Sequence, residues 1–453
     1  MYLNLSVAAA FFAITASLLS KVNNVQPTQY MDEVFHVNMT SRYYNGEFDY
    51  WDPLITTLPG LYYIGYAYCK LMNLVSQFIN GNSFACNTVS LRYLSLITLV
   101  GIYFLCYGII RQLKPKYNEI QCVIQSLLCC LFPTIYFYTF LYYTDHVSLL
   151  FILLSFYMAL LSHAGQSYKY IILSFLTGFY AVFIRQTNII WTCFIGGYII
   201  FNKFNQDKST TIPLVKQLTS FARNIKNNFT SCIIILFPYL FLCVLFLLFI
   251  YINGGIVLGD KSHHQFTIHL AQIIYYLLFS SLFLFENIIH SIINRKKSKF
   301  SKRTLLRWIL YIVISSYLFY VYIYIPISIK LFITDNRHYT FYFYKNILKN
   351  YRYILILPAS LCLYFYNKSL LSSLSSLLIM FFLLCSIIPL IMSPLLEVRY
   401  FTIPITFSLL FINYKQPPFR TLLLYICIDL LLLAIYIYKP FTWNDGSIAR
   451  FMW

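Results

Sequence analysis

The residues able to do chemistry are few, and they sit in short polar interruptions of a very apolar chain. The first interruption is YMDEVFH at 30–36, which holds Asp32, Glu33 and His36. Adjacent acids cannot share one helix face, whereas Glu33 and His36 can, at i and i+3. A carboxylate there suits a general base at a membrane surface; the plainer reading is a solvated acidic turn that starts a helix. The second is RYYNGEFDYWDPLITTLPGL at 42–61, where Asp52-Pro53 and Pro59-Gly60 are turn signals. Its Trp51, Tyr43, Tyr44 and Tyr50 suit either stacking on sugar rings or an interfacial aromatic belt. The third is TDNRHYTFY at 334–342, with Asp335, Asn336, Arg337 and His338 in a row. Arginine grips phosphate with a planar fork; an Asp–Arg pair closing a loop is the alternative.

Smaller groups follow the same pattern. Arg185-Gln-Thr-Asn188 and Glu397-Val-Arg399-Tyr400 each stand at the end of an apolar run, and Asp145-His146 lies between two runs. Charges at such positions snorkel to the interface or line a cavity. The GDKSHH string at 259–264 carries adjacent histidines without HExxH or another metal spacing, so no metal is expected.

The elements that must position these groups are membrane spans. Of 453 residues, 60% are hydrophobic and 10% charged, too few polar side chains to cover a water-facing surface. Apolar runs of span length recur throughout, near 4–20, 88–110, 119–141, 146–163, 168–184, 189–203, 229–252, 268–291, 305–328, 351–366, 370–391, 400–413 and 420–438. The expectation is an all-α polytopic membrane protein of about thirteen helices (12–14) in one domain, 1–453. The first run lacks a basic n-region and reads as a signal anchor. Polar stretches are too short for an independent soluble core.

Lys and Arg outnumber Asp and Glu by 33 to 14. In a soluble chain that excess would point to nucleic acid; here it fits basic cytosolic loops, and no nucleic-acid partner is expected. With the amino terminus cytosolic, the loops 111–119, 163–169, 203–228, 292–304, 367–369 and 413–420 hold more than half of the basic residues. Their only acids are Glu119 and Asp207. The run 292–304 is the densest and is read as a solvated loop attracting anionic lipid head groups. Most acids, from Asp32 and Glu33 to Glu397 and Asp445, then fall on the opposite face. The positive-inside rule leaves them unexplained, and a polar site on that face would explain them. The apolar run 58–79 contains Pro59, Gly60, Gly65 and Lys70. It is read as an interfacial helix within a first lumenal loop, 21–87, because a span there would invert the charge pattern. Most of the twelve cysteines lie in apolar runs; only Cys69 and Cys86 could meet in one polar-flanked loop, and a disulfide between them is left open.

The strings quoted resemble one family: the endoplasmic-reticulum alpha-1,2-glucosyltransferases that use dolichyl-phosphate glucose. The resemblance runs in order through YMDEVFH, RYYNGEF, WDPLITTLPGLY at 51–62, FLYYT at 140–144, RQTNIIW at 185–191, LGDKSHH at 258–264, DNRHYTFY at 335–342, LEVRYF at 396–401 and RFMW at 450–453. Ser-His-His departs somewhat from the family pattern, which leaves His263 and His264 without a role. The resemblance implies a GT-C fold with lumenal interfacial helices in the endoplasmic-reticulum membrane, and an active site on the lumenal face. It implies transfer of glucose, with inversion, from dolichyl phosphate glucose to the terminal glucose of a two-glucose dolichyl-diphosphate-linked oligosaccharide, without a cofactor.

Phosphate leaves without much help from an acid, unlike the alcohol of glycoside hydrolysis. The reaction therefore needs one base and cations for the phosphate. Asp32 and Glu33 are the candidate bases, Asp32 preferred for its shorter, more rigidly held side chain. Arg337, His338 and Arg399 are the phosphate candidates. His36, Trp51, Asp52, Asp145, Arg185, Asp335 and Asn336 are the expected substrate contacts. The nearest rival is a related dolichyl-phosphate-mannose-dependent mannosyltransferase. A transporter or flippase would want ionisable groups deep at mid-membrane; only Glu286 and Asp429 qualify, and both lie in spans without broken-helix Gly/Pro signals.

Overall fold

The structure is a computed structural model. It describes residues 2–204, 213–261, 271–286, 337–343, 374–393, 397–443 and 446–453, with isolated positions between 309 and 363. Its described secondary structure is helical apart from a short hairpin. The chain forms two compact units: Met1–Ser126, Ile135–Gln206 and Phe221–Gln265 make the first, and Leu127–Thr134, Asp207–Ser220 and Phe266–Trp453 the second.

In the first unit α1 (Tyr2–Val25) is followed by the short α2 (Glu33–Tyr44), then α3 (Gly60–Asn80) and α4 (Thr88–Leu113). Helix α4 starts where Asn87 and Ser90 cap one another, each side chain accepting from the other's main-chain N–H at 3.0 and 2.9 Å. Helix α3 ends at Gly81, whose φ of +67° is the left-handed conformation glycine adopts without cost. Next come α5 (Glu119–Cys130), α6 (Pro133–Tyr138), α7 (Thr144–Leu161), α8 (Tyr168–Ile184) and α9 (Asn188–Phe204). The 119–141 run, expected as one span, is thus two helices. Pro133 cannot continue the ladder of α5 and instead opens α6, a position that needs no N–H donor.

Helices α7 and α8 pack on small residues, as helices in lipid do. Ser155 Oγ donates to Ser174 O at 2.7 Å, and Ser174 Oγ donates to Ser155 O at 2.8 Å. Helix α10 (Leu214–Asn227) leads into α11 (Phe229–Asn253).

The second unit contains α12 (Ala271–Phe283), the short α13 (Tyr339–Phe343), α14 (Ser376–Ile391), α15 (Thr402–Phe411) and α16 (Phe419–Tyr438), then strands β1 (Phe441–Thr442) and β2 (Ile448–Ala449). Phe132, Phe279, Phe283 and Tyr425 form its aromatic core. Glu286 accepts from Thr421 N at 3.1 Å and Thr421 Oγ1 at 2.7 Å, so it caps the first turn of α16. That structural task accounts for one of the two acids that a transport reading had singled out.

Among the described residues, α1, α4, α7, α11 and α16 are long and apolar enough to cross a membrane, and α8 and α14 are shorter apolar helices. The protein is a multi-pass, all-α membrane protein. Expected spans at 305–328 and 351–366, like the basic run 292–304, lie outside the described residues apart from isolated positions, so the expected thirteen are not counted here. Helix α3 is not among the five. It exposes Leu71, Leu74, Val75 and Phe78 at helical spacing, one apolar stripe rather than an apolar circumference. That shape suits a helix lying in the membrane surface. Cys69 of α3 and Cys86 form a disulfide, which stitches α3 to the entry of α4.

Candidate active site

The two neighbouring acids of the first motif have different fates. Glu33 is the first residue of α2 and is fully buried. Its Oε1 accepts from Arg92 Nε at 2.9 Å and Tyr142 N at 2.7 Å. Its Oε2 accepts from Arg92 Nη2 at 2.6 Å and Tyr30 N at 2.9 Å. A carboxylate offers about four lone-pair directions, and these four donors occupy them. Glu33, one of the two candidate bases, thus has all of these directions engaged within the protein.

Asp32 precedes it as the N-cap residue and is half-buried. Its main-chain N–H donates to Tyr143 Oη at 3.1 Å. Met31, just before, has φ +55°, a left-handed conformation uncommon for a residue with a side chain. The turn is therefore sharply specified.

His36 follows one turn into α2. Its Nδ1 lies 3.0 Å from Tyr62 Oη. Burial, above all, pushes the Tyr62 phenol far above its ordinary pKa, so it stays protonated and able to donate to that nitrogen. Helix α3 reaches this contact because Gly65 lets it approach α2. A Cβ at Gly65 would stand 2.5 Å from both Thr40 Cγ2 and Tyr142 Oη. The ring of Trp51 meets Tyr62 edge-on at 5.9 Å.

The loop after Trp51 is held from two sides. Asp52 Oδ1 accepts from Leu54 N at 2.9 Å, an Asx turn that shapes the loop internally. Gln186 Nε2 donates to Thr56 O at 2.8 Å. On the other side Leu258 N, Gly259 N and Asp260 N donate to Thr56 O, Ile55 O and Pro53 O at 3.1, 3.0 and 3.0 Å. Gly259 permits this: a Cβ there would lie 2.2 Å from Pro53 O. Asp145 and Arg185, forty positions apart, form an ion pair. Asn188 Nδ2 donates to Ser148 Oγ and Ala181 O at 2.7 Å, fixing the start of α9 against α7 and α8. The first unit thus gathers six of the nine quoted strings. Arg92 and Gln186 were missed as organisers; a charge inside the apolar run at 88–110 was the signal for Arg92.

The second unit gathers the remaining motifs. Met452 N donates to Arg337 O at 2.9 Å, and Tyr339 N donates to Met452 O at 3.0 Å. His338 Nδ1 lies 2.6 Å from Trp453 O. The Arg337 guanidinium sits 4.3 Å over the Trp443 ring, a cation–π contact. Arg399 pairs with Glu397 through Nε. Phe279 contacts the rings of Phe401 and Trp453 at 5.6 and 5.7 Å, so one side chain links the 396–401 and 450–453 strings. Arg450 Nη1 donates to Tyr436 O at 2.7 Å and caps the carboxyl end of α16. Asp335, Asn336, His263 and His264 lie outside the described residues.

Comparison with known proteins bears on what these clusters do. The model of the DIE2/ALG10 family matches residues 26–410. A Homo sapiens protein named Dol-P-Glc:Glc(2)Man(9)GlcNAc(2)-PP-Dol alpha-1,2-glucosyltransferase is 32% identical, over 98% of this chain and 97% of its own length. An Arabidopsis thaliana protein of the same name is 31% identical over 99% of both chains. One from Yarrowia lipolytica, also of that name, is 29% identical over 99% of this chain and 96% of its own.

Proposed function

Because the chain belongs to the DIE2/ALG10 family, we propose that it transfers glucose from dolichyl phosphate glucose to the two-glucose lipid-linked oligosaccharide, forming an alpha-1,2 linkage. It is a hexosyltransferase. The donor and the dolichyl-diphosphate-linked acceptor are its substrates, and the bilayer is the medium in which both lipid tails move. A β-linked donor and an α-linked product require one displacement with inversion. The acceptor hydroxyl loses a proton to a base as its oxygen bonds to the anomeric carbon. The C–O bond to phosphate breaks, and dolichyl phosphate leaves with the electron pair.

Asp32 is the base in this reading. The observation that carries the assignment is the division between adjacent acids: Glu33 is saturated by four donors, while Asp32 remains half-exposed on a turn pinned by Tyr143. A positioned base contributes ~10²–10⁴-fold. Trp51 and Asp52 are sugar contacts. The Trp51 indole N–H is buried without an acceptor among the described residues, which fits a substrate hydroxyl as its partner. His36, Asp145 and Arg185 shape the same surroundings. Arg337, His338 and Arg399 are the cations for the donor phosphate, with Asp335 and Asn336 beside them in sequence.

The compartment follows from the same reading: the endoplasmic-reticulum membrane, with 21–87 and the active site lumenal, in one catalytic domain spanning 1–453. The Cys69–Cys86 disulfide supports it, since such bonds persist in oxidising compartments.

The deciding experiment uses purified protein in liposomes with dolichyl-linked glucose or mannose and acceptors bearing one or two glucoses. Transfer is expected only from the glucosyl donor to the two-glucose acceptor. Mannose transfer, or equal use of the one-glucose acceptor, would overturn the assignment.

A further inference from the structure

Arg92 is a buried cation that the reaction does not use directly. It stands at the fifth position of α4, fully buried in an apolar run. A guanidinium has five N–H donors in a planar fork. Nε and one Nη2 donor go to the two oxygens of Glu33, at 2.9 and 2.6 Å. Nη1 donates to Asn23 Oδ1 at 3.0 Å and Gln26 O at 2.5 Å. Nη2 also donates to Thr28 O at 3.1 Å. Every one of these contacts falls on one continuous stretch, from the end of α1 to the first residue of α2. That stretch delivers Asp32.

The arrangement is more than a buried ion pair. The same guanidinium ties down the main-chain carbonyls of half-buried Gln26 and exposed Thr28, which fixes the path of the chain into the turn. It also orients Glu33. Glu33 in turn accepts from Tyr30 N and Tyr142 N, which closes the turn around the left-handed Met31. The position of Asp32 is set between Glu33, whose carboxylate Arg92 holds, and Tyr143, which takes the Asp32 N–H.

We propose that Arg92 is a positioning residue for the reaction: through Glu33 and the carbonyls of Gln26 and Thr28 it holds the Asp32 carboxylate where the acceptor hydroxyl is deprotonated. The inference rests on Asp32 being the base. Lysine cannot replace it, because an ammonium presents three donors at one point and cannot serve Glu33 and two carbonyls in one plane.

The test is a double-mutant comparison in full-length protein in liposomes, read as kcat and as KM for dolichyl phosphate glucose. R92K is expected to lower kcat at least ~10-fold, with KM changed less than about threefold, because a misplaced base weakens the transition state and leaves donor binding alone. In a D32N background the same R92K change is expected to alter the residual kcat by less than about twofold, since the group it positions no longer acts. A merely structural defect would lower turnover by the same factor in both backgrounds. Equal factors, or an R92K enzyme within about twofold of normal kcat, would overturn the proposal. Should R92K fail to accumulate as folded protein, E33Q takes its place with the same two outcomes, because it keeps the shape and removes the charge that Arg92 holds. If D32N itself turns over normally, the base assignment is what fails. If D32N is inactive while R92K and E33Q are normal, only the positioning role fails.

Discussion

Replacing Gly259 with alanine should detach one loop from another by an amount that can be worked out. A Cβ at this position would stand 2.2 Å from Pro53 O and 2.6 Å from Ile55 O, both main-chain atoms that no rotamer change can move aside. Ordinary contact requires a separation greater by about 1 Å. The three hydrogen bonds from Leu258, Gly259 and Asp260 to the 53–56 loop, now 3.0–3.1 Å, cannot survive that displacement together. At roughly 1 kcal/mol net for each, the docked arrangement loses about 3 kcal/mol. That is on the order of a hundredfold in the ratio of docked to undocked loop. Because the loop follows directly on Trp51 and Asp52, kcat/KM for the acceptor should fall at least ~10-fold. Amide exchange at positions 258–260, whose N–H groups donate the three bonds, should accelerate in the same protein. Gly255→Ala is the matched control: a Cβ there meets nothing within 4 Å, so activity and exchange should stay normal. A Gly259→Ala enzyme with normal kcat/KM and unchanged exchange would refute the docking argument, and so would equal losses in both variants.

Asp32→Asn keeps the shape of the side chain and removes its basicity; turnover should fall ~10²-fold or more while donor binding, measured by equilibrium titration, is retained. Near-normal turnover would remove this loop from the mechanism. Cys69 and Cys86 lie 17 positions apart, a loop for which the chain-entropy model gives about 3 kcal/mol. A double serine variant should therefore melt at a lower temperature in detergent, and a maleimide gel-shift should label the unaltered protein at these positions only after reduction. Labelling without reduction would show that the pair is not closed. Arg337→Ala should weaken donor use more than acceptor use, with lysine restoring only part, because the fork geometry is what suits phosphate. Unchanged donor titration in Arg337→Ala would end its assignment to the phosphate.

How much of this was legible in the chain depends on the kind of signal. Apolar runs located α1, α4, α7, α11 and α16 to within a few residues, since a bilayer imposes length and composition directly. The one clear departure, the 119–141 run, turned on Pro133. Hydropathy does not distinguish a continuous helix from a broken one of the same composition. The interfacial reading of 58–79 rested on the charge pattern of the loops around it, and α3 carries one exposed apolar stripe. The polar motifs announced themselves by residue type, but not their partners. Arg92 meets Glu33 across fifty-nine positions, Arg185 meets Asp145 across forty, and Met452 meets Arg337 through main-chain bonds that carry no side-chain signature. Long-range pairing of this kind is decided by the packing of α4 against α1 and of α7 against α8, which a single sequence does not encode locally. The Cys69–Cys86 pair was left open for the same reason, since spacing alone does not bring the two residues together.

The adjacent acids show why residue type and spacing stop short of mechanism. Asp32 and Glu33 are chemically near-equivalent, and nothing in YMDEVFH ranks them strongly. Their separation arises at the helix boundary. The N-cap residue and the first helical residue project about 100° apart, so a turn that buries one presents the other. Burying a carboxylate at the edge of a membrane is tolerable only with a strong, fully engaged partner, because breaking such a pair leaves an uncompensated charge costing several kcal/mol. Arg92 supplies that partner from α4, and the bidentate fork that satisfies Glu33 also fixes its orientation. A neutral residue at 33 could start the same helix but would leave the turn before it free to adjust. On the proposal that Asp32 is the base, the ion pair and that base form one device. In that proposal the charge hidden at 33 is what keeps the charge at 32 in place.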